Sequence, residues 1–402
     1  MDKKIKILIP LFYDYYLYNY IYNLALKLTK NNFDVTFITF DEKVRQKNFK
    51  NKKVKILNGP TIIRFLLNRN NFFFLRFLLW LLSYIWSIKL KKIYNFIILP
   101  TDIKPIWYCL GSFIPSITIV NATTMMDLDL LKRSRNKFFF IDKFMGRKAI
   151  NIQGLGSSDI ITVPGYKFKE NYEILLKKYE IKKKNIYVTG MPNYENVLNI
   201  KKKWNVKERK RFLRTLNINK KKKIFTFFLS YSEYDKNKIN EIFLVIDQIK
   251  KNYRDFYFLL SLHPKTRAID IKEIKRKLKK NTQDFKIILG KGDEEFNTKI
   301  ILSSYLLLQK QSTVGFLAML LKKPMVSYNL IETNYEDDMY KIMGASLHCE
   351  NIYTLKKSLN NLTKKRINLL EKKQEEASKK YCLSLDSPLQ NVVDVIKKIN
   401  MN

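Results

Sequence analysis

The chain has 402 residues, more than one hydrophobic core ordinarily holds, so two domains are expected. Hydrophobic residues at 46% and aromatic ones at 14% are enough for real cores and exclude a disordered chain. The formal charge of +40 suggests an anionic partner such as phospholipid headgroups or a sugar nucleotide, although Lys, Asn, Ile, Tyr and Phe are abundant together, as an AT-rich coding bias would produce.

In chain order, Lys3, Lys4 and Lys6 precede an apolar run too short for a secretory signal, so none is expected. Residues 5–10 predict a buried parallel strand, and 19–30 a helix with Ile21, Leu24, Ala25 and Leu28 on one face. Residues 33–40 and 54–57 read as strands. The run 72–88 is strongly apolar, but it carries Arg76 and falls short of the ~20 residues of a membrane span. A buried or membrane-facing amphipathic helix is expected there, with Lys89, Lys91 and Lys92 behind it. Strands at 96–99, 117–120, 160–163 and 186–188, with a helix around Trp107, complete the first half.

The pattern restarts after a basic, polar stretch at 200–223. Strands are predicted at 224–229, 256–262, 285–289 and 324–328, with a helix end and a strand within 300–308. Helices are predicted at 239–249, 271–278 and 314–321, and the tail 371–399 reads as helices folding back on the first domain. Such alternation predicts an α/β fold of two Rossmann-like, doubly wound parallel-sheet domains facing a central cleft. The boundaries expected are 1–195 for an acceptor-side domain, 196–375 for a nucleotide-binding domain, and 376–402 for a helical tail.

Cys109, Cys349 and Cys382 are far apart and odd in number. They build neither a zinc site nor a disulfide framework, and a reducing cytoplasm is expected. The lysine runs 182–184, 201–203 and 220–223 read as solvated turns, and no RNP, zinc-finger or helix-turn-helix signature accompanies them, so no nucleic-acid partner is expected.

Chemistry concentrates in two motifs. Leu-His-Pro-Lys-Thr, 262–266, ends a predicted strand; His263 can donate to a phosphate oxygen, Pro264 stops the strand, and Lys265 adds charge. A lone histidine is more often structural, but this is one of only two in the chain, at a carboxyl strand end. Gln311, Ser312 and Thr313 precede the helical run 314–321, where hydroxyls cap free amides and those amides bind phosphate; the bland alternative is an ordinary N-cap.

The order strand–His-Pro–helix–strand–Ser-Thr-x-Gly–helix–Lys-Lys-Pro-Met-Val resembles the C-terminal domain of bacterial surface-carbohydrate glycosyltransferases of the GT-B architecture. Sialyltransferase-like, Kdo-transferase-like and glycerophosphotransferase families share it. The resemblance implies that His263, Pro264, Ser312 and Thr313 hold the donor's nucleotide phosphate. Val-Thr-Gly-Met-Pro-Asn-Tyr-Glu-Asn-Val-Leu, 188–198, is similar to the interdomain segment of these enzymes and of UDP-N-acetylglucosamine 2-epimerases. One departure matters. Many UDP-sugar enzymes carry a ribose-binding Glu-Ala pair where this chain has Leu317–Ala318, which favours a CMP-linked over a UDP-linked sugar donor. Glu332, Glu336, Asp337 and Asp338 are alternative ribose contacts, or simply an acidic surface loop.

Inversion at a sugar needs a base for the acceptor proton. Asp14 is the first candidate, ahead of Asp102, Asp127 and Asp129, all near predicted strand ends of the first half. No Asp-x-Asp motif appears and the acidic group 293–295 has no metal-ligand spacing, so no obligatory metal or other cofactor is expected. The resemblance implies a metal-independent glycosyltransferase that moves a sugar such as sialic acid or Kdo to a cell-surface polysaccharide or lipid-linked glycan acceptor, peripheral on the anionic inner membrane surface. Two alternatives remain: an enzyme like the hydrolysing UDP-N-acetylglucosamine 2-epimerases, and a non-catalytic membrane-associated scaffold.

Overall fold

The computed structural model describes residues 4–11, 15–39, 54–59, 73–100, 115–119, 158–178, 185–219, 221–229, 236–263, 266–281, 284–289, 294–310, 312, 314–330, 339–381 and 387–401. They divide into two compact units, one of 1–195 with 385–402 and one of 196–384.

The strands of the first unit are β1 (Lys6–Leu11), β2 (Asp34–Thr39), β3 (Lys55–Asn58), β4 (Phe96–Pro100), β5 (Ser116–Ile119), β6 (Ile160–Val163) and β7 (Asn185–Val188). They form one all-parallel sheet in the order β3-β2-β1-β4-β5-β6-β7. Its helices are α1 (Tyr15–Lys30), α2 (Phe73–Ile93) and α3 (Tyr166–Lys178). On α1 the predicted face is the buried one: Ile21, Leu24, Ala25 and Leu28 pack under β1 and β2. Asn32, at φ 68°, closes α1 in the left-handed conformation that asparagine tolerates, and the Phe33 N–H returns to the Leu28 carbonyl.

Two expectations shift here. The helix predicted at 72–88 runs on to Ile93, because Leu90 and Tyr94 are buried one turn apart and the intervening lysines are good helix formers. The helix expected around Trp107 lies outside the described residues.

The second unit opens with α4 (Glu195–Lys203), which begins on the last residue of the first unit, and α5 (Val206–Thr215). Lys201–Lys203 are thus the last turn of a helix rather than a solvated turn, and the Lys201 ammonium donates to the Leu320 carbonyl at 3.0 Å. The polar stretch 200–223 holds α5, capped by the Asn205 side chain on the Lys207 and Glu208 amides and anchored by buried Phe212 and Leu213. The strands are β8 (Lys223–Phe228), β9 (Phe256–Leu262), β10 (Phe285–Leu289), β11 (Leu306–Gln309), β12 (Met325–Tyr328) and β13 (Leu347–Cys349). They are parallel in the order β10-β9-β8-β11-β12-β13. The helices between and after them are α6 (Lys236–Asn252), α7 (Ala268–Asn281), α8 (Glu294–Ser303), α9 (Val314–Leu320), α10 (Met339–Ile342), α11 (Ile352–Asn360) and α12 (Lys364–Tyr381). Strand alternation sends Phe225, Phe227, Phe258, Leu260, Leu306, Leu308 and Val326 into one core with α6 and α11.

A final helix, α13 (Pro388–Met401), returns to the first unit. Leu389, Val392, Val393 and Ile396 join the core of α1 and β1, whereas the start of the expected tail, through Tyr381, belongs to α12 of the second unit. The anchor of α13 is the Val188–Leu198 stretch. Glu195 accepts from the Leu389 N–H at 2.8 Å and pairs with Lys27 at 3.2 Å, while the Asn391 carboxamide donates to the Thr189 carbonyl at 3.1 Å. Gly190 turns the chain at φ 83°, a conformation for which glycine lacks the usual steric penalty.

Candidate functional site

In the second sheet the chain builds outward from β8 through β9 to β10, then recrosses to build β11, β12 and β13 on the other side. The reversal falls between β8 and β11, and open α/β sheets bind ligands beyond the carboxyl ends of the strands at such a point. One rung at that edge runs Ser261, Phe228, Gln309, Ser327, His348 across five strands. Registered neighbours share a face, so this polar row lies opposite the core containing Leu260, Phe227 and Leu308.

His263 follows β9 and is half-buried. Its carbonyl accepts from the Thr266 amide at 2.9 Å and the Thr266 hydroxyl at 2.6 Å, a tight turn that leads into α7. Arg267 then holds Asp270 through two hydrogen bonds, at 2.7 and 2.8 Å, which keep that carboxyl below its ordinary range. Ser312 follows β11. Its amide donates to Gln309 Oε1 at 2.8 Å, and its carbonyl accepts from the Gly315 amide at 2.9 Å and the Tyr340 hydroxyl at 2.7 Å. Gly315 is required by packing: a Cβ there would stand 2.2 Å from the Tyr340 ring. Ser312 and Gly315 are thus joined by a turn whose backbone is held by Gln309 and Tyr340.

His263 and Ser312 thus both lie past the carboxyl edge of one sheet, on strands separated by β8 alone. Pro264, Lys265, Gln311 and Thr313 lie outside the described residues, as do Asp14, Asp102, Asp127, Asp129 and the acidic stretch 332–338. Leu317 and Ala318 are buried, so the position matching the ribose-binding Glu of UDP-sugar enzymes is part of the core. Glu294 and Glu295 open α8, where carboxylates suit the helix dipole. Among the described residues no group of three or more His, Cys, Asp or Glu side chains could hold a metal ion. Burial pushes the Cys349 thiol up to about 11, which leaves it protonated and unreactive at neutral pH.

Sequence reasoning missed a second layer. Lys310 and Glu241 form an ion pair at 2.6 Å with side chains 5% and 1% exposed, and Glu241 also accepts from the Leu330 amide after β12. The pair ties α6 to the loops that follow β11 and β12. Its sequence signal is faint: Glu241 sits among Ile239, Ile242 and Val245, and Gln309 and Lys310 end an otherwise apolar strand. At the far edge Ser327 contacts the Ser346 hydroxyl at 2.9 Å and His348 Nδ1 at 3.2 Å.

Comparison with known proteins sharpens this picture. The family model described as CDP-glycerol:poly(glycerophosphate) glycerophosphotransferase matches residues 155–386, more than half of the chain. No curated protein matches the sequence. Among solved structures, the UDP-N-acetylglucosamine 2-epimerase from Methanocaldococcus jannaschii has a TM-score of 0.60 at 17% identity, covering 98% of this chain and 100% of that one. The UDP-N-acetylglucosamine 2-epimerase from Neisseria meningitidis, bound to UDP-N-acetylglucosamine, gives 0.58 at 12%, covering 98% and 100%. The wall teichoic acid polymerase TagF gives 0.56 at 16%, covering 98% and 89%. At these identities the likeness shows the fold, two Rossmann-like parallel-sheet units of the GT-B kind.

Proposed function

The chain belongs to the CDP-glycerol:poly(glycerophosphate) glycerophosphotransferase family, and from that membership we propose that it transfers a polyol-phosphate or sugar unit from a cytidine-nucleotide donor to a surface-carbohydrate acceptor. It is an enzyme of nucleotide-linked donors in bacterial surface-carbohydrate synthesis; the cytidine preference is the finer step. The family match carries that step, and the burial of Leu317 supports it. CMP-linked sialic acid and Kdo are the glycosyl donors within the same class.

In this reading residues 196–384 hold the donor, 1–195 the acceptor, and 385–402 brace the first domain. His263 donates to the phosphate oxygen that gains charge as the bond to the transferred group breaks. Ser312 and Thr313 hold the same phosphate, with Pro264, Lys265 and Gln311 shaping and charging the loops around it. Asp14 takes the acceptor's proton. Preorganised donors of this kind act on charge that develops only in the transition state.

A thermal-shift screen with CDP-glycerol, a CMP-sugar and UDP-N-acetylglucosamine tests the donor. A ligand at 100 times its dissociation constant stabilises by ~2.7 kcal/mol. A shift with a cytidine donor is expected, and stabilisation by UDP-N-acetylglucosamine alone overturns the cytidine assignment.

The second reading is an enzyme like the hydrolysing UDP-N-acetylglucosamine 2-epimerases, favoured by fold likeness along 98% of the chain. Release of free UDP from UDP-N-acetylglucosamine with no acceptor present would decide for it. Peripheral attachment to an anionic inner membrane surface belongs to this proposal too. No helix among the described residues is long and apolar enough to cross a membrane.

A further inference from the structure

We propose that Gln309 binds the donor phosphate directly: its Oε1 holds the Ser312 turn and its Nε2 presents two N–H donors to a phosphate oxygen. This rests on the donor reading above, but not on which base the donor carries.

The Ser312 backbone nitrogen can only donate, so the Gln309 atom 2.8 Å from it must be the oxygen. Nε2 is thereby fixed on the other arm of the amide, and it is buried with no hydrogen-bond partner. Gln309 is 2% exposed, so water does not substitute freely. Its neighbours in the rung offer little. Phe228 has no polar side-chain atom, and the Ser327 hydroxyl is engaged with Ser346 and His348. A buried NH2 left unsatisfied is costly and is rarely kept without a use.

The use is read from position. Gln309 ends β11 at the point where the sheet reverses, and the loop it grips leads into α9. Lys310, the next residue, points to the opposite face and is neutralised by Glu241, so it brings no free charge to the turn. The donor set at the turn is therefore neutral N–H groups, the Gln309 carboxamide among them. These recognise an anionic oxygen without carrying a buried charge of their own.

Gln309→Glu separates this role from a purely structural one. It retains an oxygen that can accept from Ser312 but replaces the donor arm with an acceptor. Binding of CDP and of UDP is measured by calorimetry on wild type and variant. Losing a hydrogen bond to a charged group weakens binding about 10- to 100-fold, and Gln309→Glu should lose at least that for whichever nucleotide the wild type binds. Wild-type affinity in a folded Gln309→Glu overturns the proposal. Wild type binding UDP and not CDP would sink the cytidine reading and leave the Gln309 result interpretable; wild type binding neither sinks both. Should the buried carboxylate prevent folding, a crystal of the wild type soaked with CDP decides. A phosphate oxygen ~2.7–3.2 Å from Nε2 is expected, and a bound nucleotide whose phosphates stand away from it overturns the assignment.

Discussion

The two units wind their sheets in the same way, each outward from a central strand and back across it, but they bury different chemistry. Among the described residues of the first unit, the buried polar side chains are hydroxyls alone: Thr36, Thr39, Ser87, Ser116, Ser158, Thr162 and Thr189. The second unit buries Glu241, Lys310, Gln309, Asn329 and Gln374 as well. Hydroxyls find partners easily in a nearby backbone, whereas carboxylates, ammonium groups and carboxamides are expensive to bury and need specific partners. The described strands and helices of the first unit bury none of these groups. What the second unit holds at the carboxyl edge of β11 lies where such sheets meet ligands.

The largest test of that contrast breaks the ion pair. Lys310→Ala leaves Glu241 buried and unpaired, and should destabilise the protein by about 3–5 kcal/mol in denaturant unfolding. Replacing both partners, Lys310→Met with Glu241→Leu, should recover most of that loss, since apolar pairs of similar volume are often neutral or better. The doubly substituted protein should still bind nucleotide poorly, because the Leu330 amide and the β11 loop have lost their common anchor. Full nucleotide affinity in the double variant would make the pair a structural accident.

Next in size is His263→Ala. Removing one preorganised donor to a developing charge raises the barrier by ~2.7–4 kcal/mol, about 100- to 1000-fold in rate, with the melting temperature little changed. A variant that turns over like wild type would take His263 out of the chemistry and leave the polar edge without its first donor.

Gly315→Ala probes the turn itself. Its methyl group meets the Tyr340 ring at 2.2 Å, so the ring must move and its hydrogen bond to the Ser312 carbonyl is lost. Overpacking of this kind costs about 1–3 kcal/mol. Tyr340→Phe should cost only ~1 kcal/mol, the worth of one hydrogen bond. If the two variants lose equal stability, packing is not what requires glycine at 315.

These residues also mark where the sequence could be read and where it could not. Apolar runs such as 224–229 and 256–262 have a strand's length and composition, and both emerged as strands. Strand β13 is three residues with a histidine in the middle, too short for any periodicity. The Ser-Thr-x-Gly and His-Pro motifs drew attention to two loops of one sheet edge, because proline, glycine and capping hydroxyls act locally. Gln309, Lys310 and Glu241 give only a faint signal for the opposite reason. Their meaning lies in pairing across distant segments, and a buried Glu in an apolar helix face has no local signature that tells it from an exposed one.

The first unit has its own departure from an ordinary surface, and it yields the smallest expected effect. On α2, Leu81, Tyr84, Ile85 and Ile88 are all exposed, at the three- and four-residue spacing that puts them on one face. Lys89, Lys91 and Lys92 are exposed just beyond them. An apolar stripe with a basic end fits an anionic lipid surface, where each lysine adds ~1 kcal/mol and the attraction decays within a Debye length. Co-sedimentation with vesicles of neutral or anionic lipid, across a range of salt, should show recovery with anionic vesicles that falls as salt rises. Ile85→Asp and Lys89→Glu should each weaken it while leaving nucleotide binding intact. Equal recovery with neutral and anionic vesicles, or none with either, would count against the membrane role of this face. The contrast between the units would then rest on the buried chemistry of the second alone.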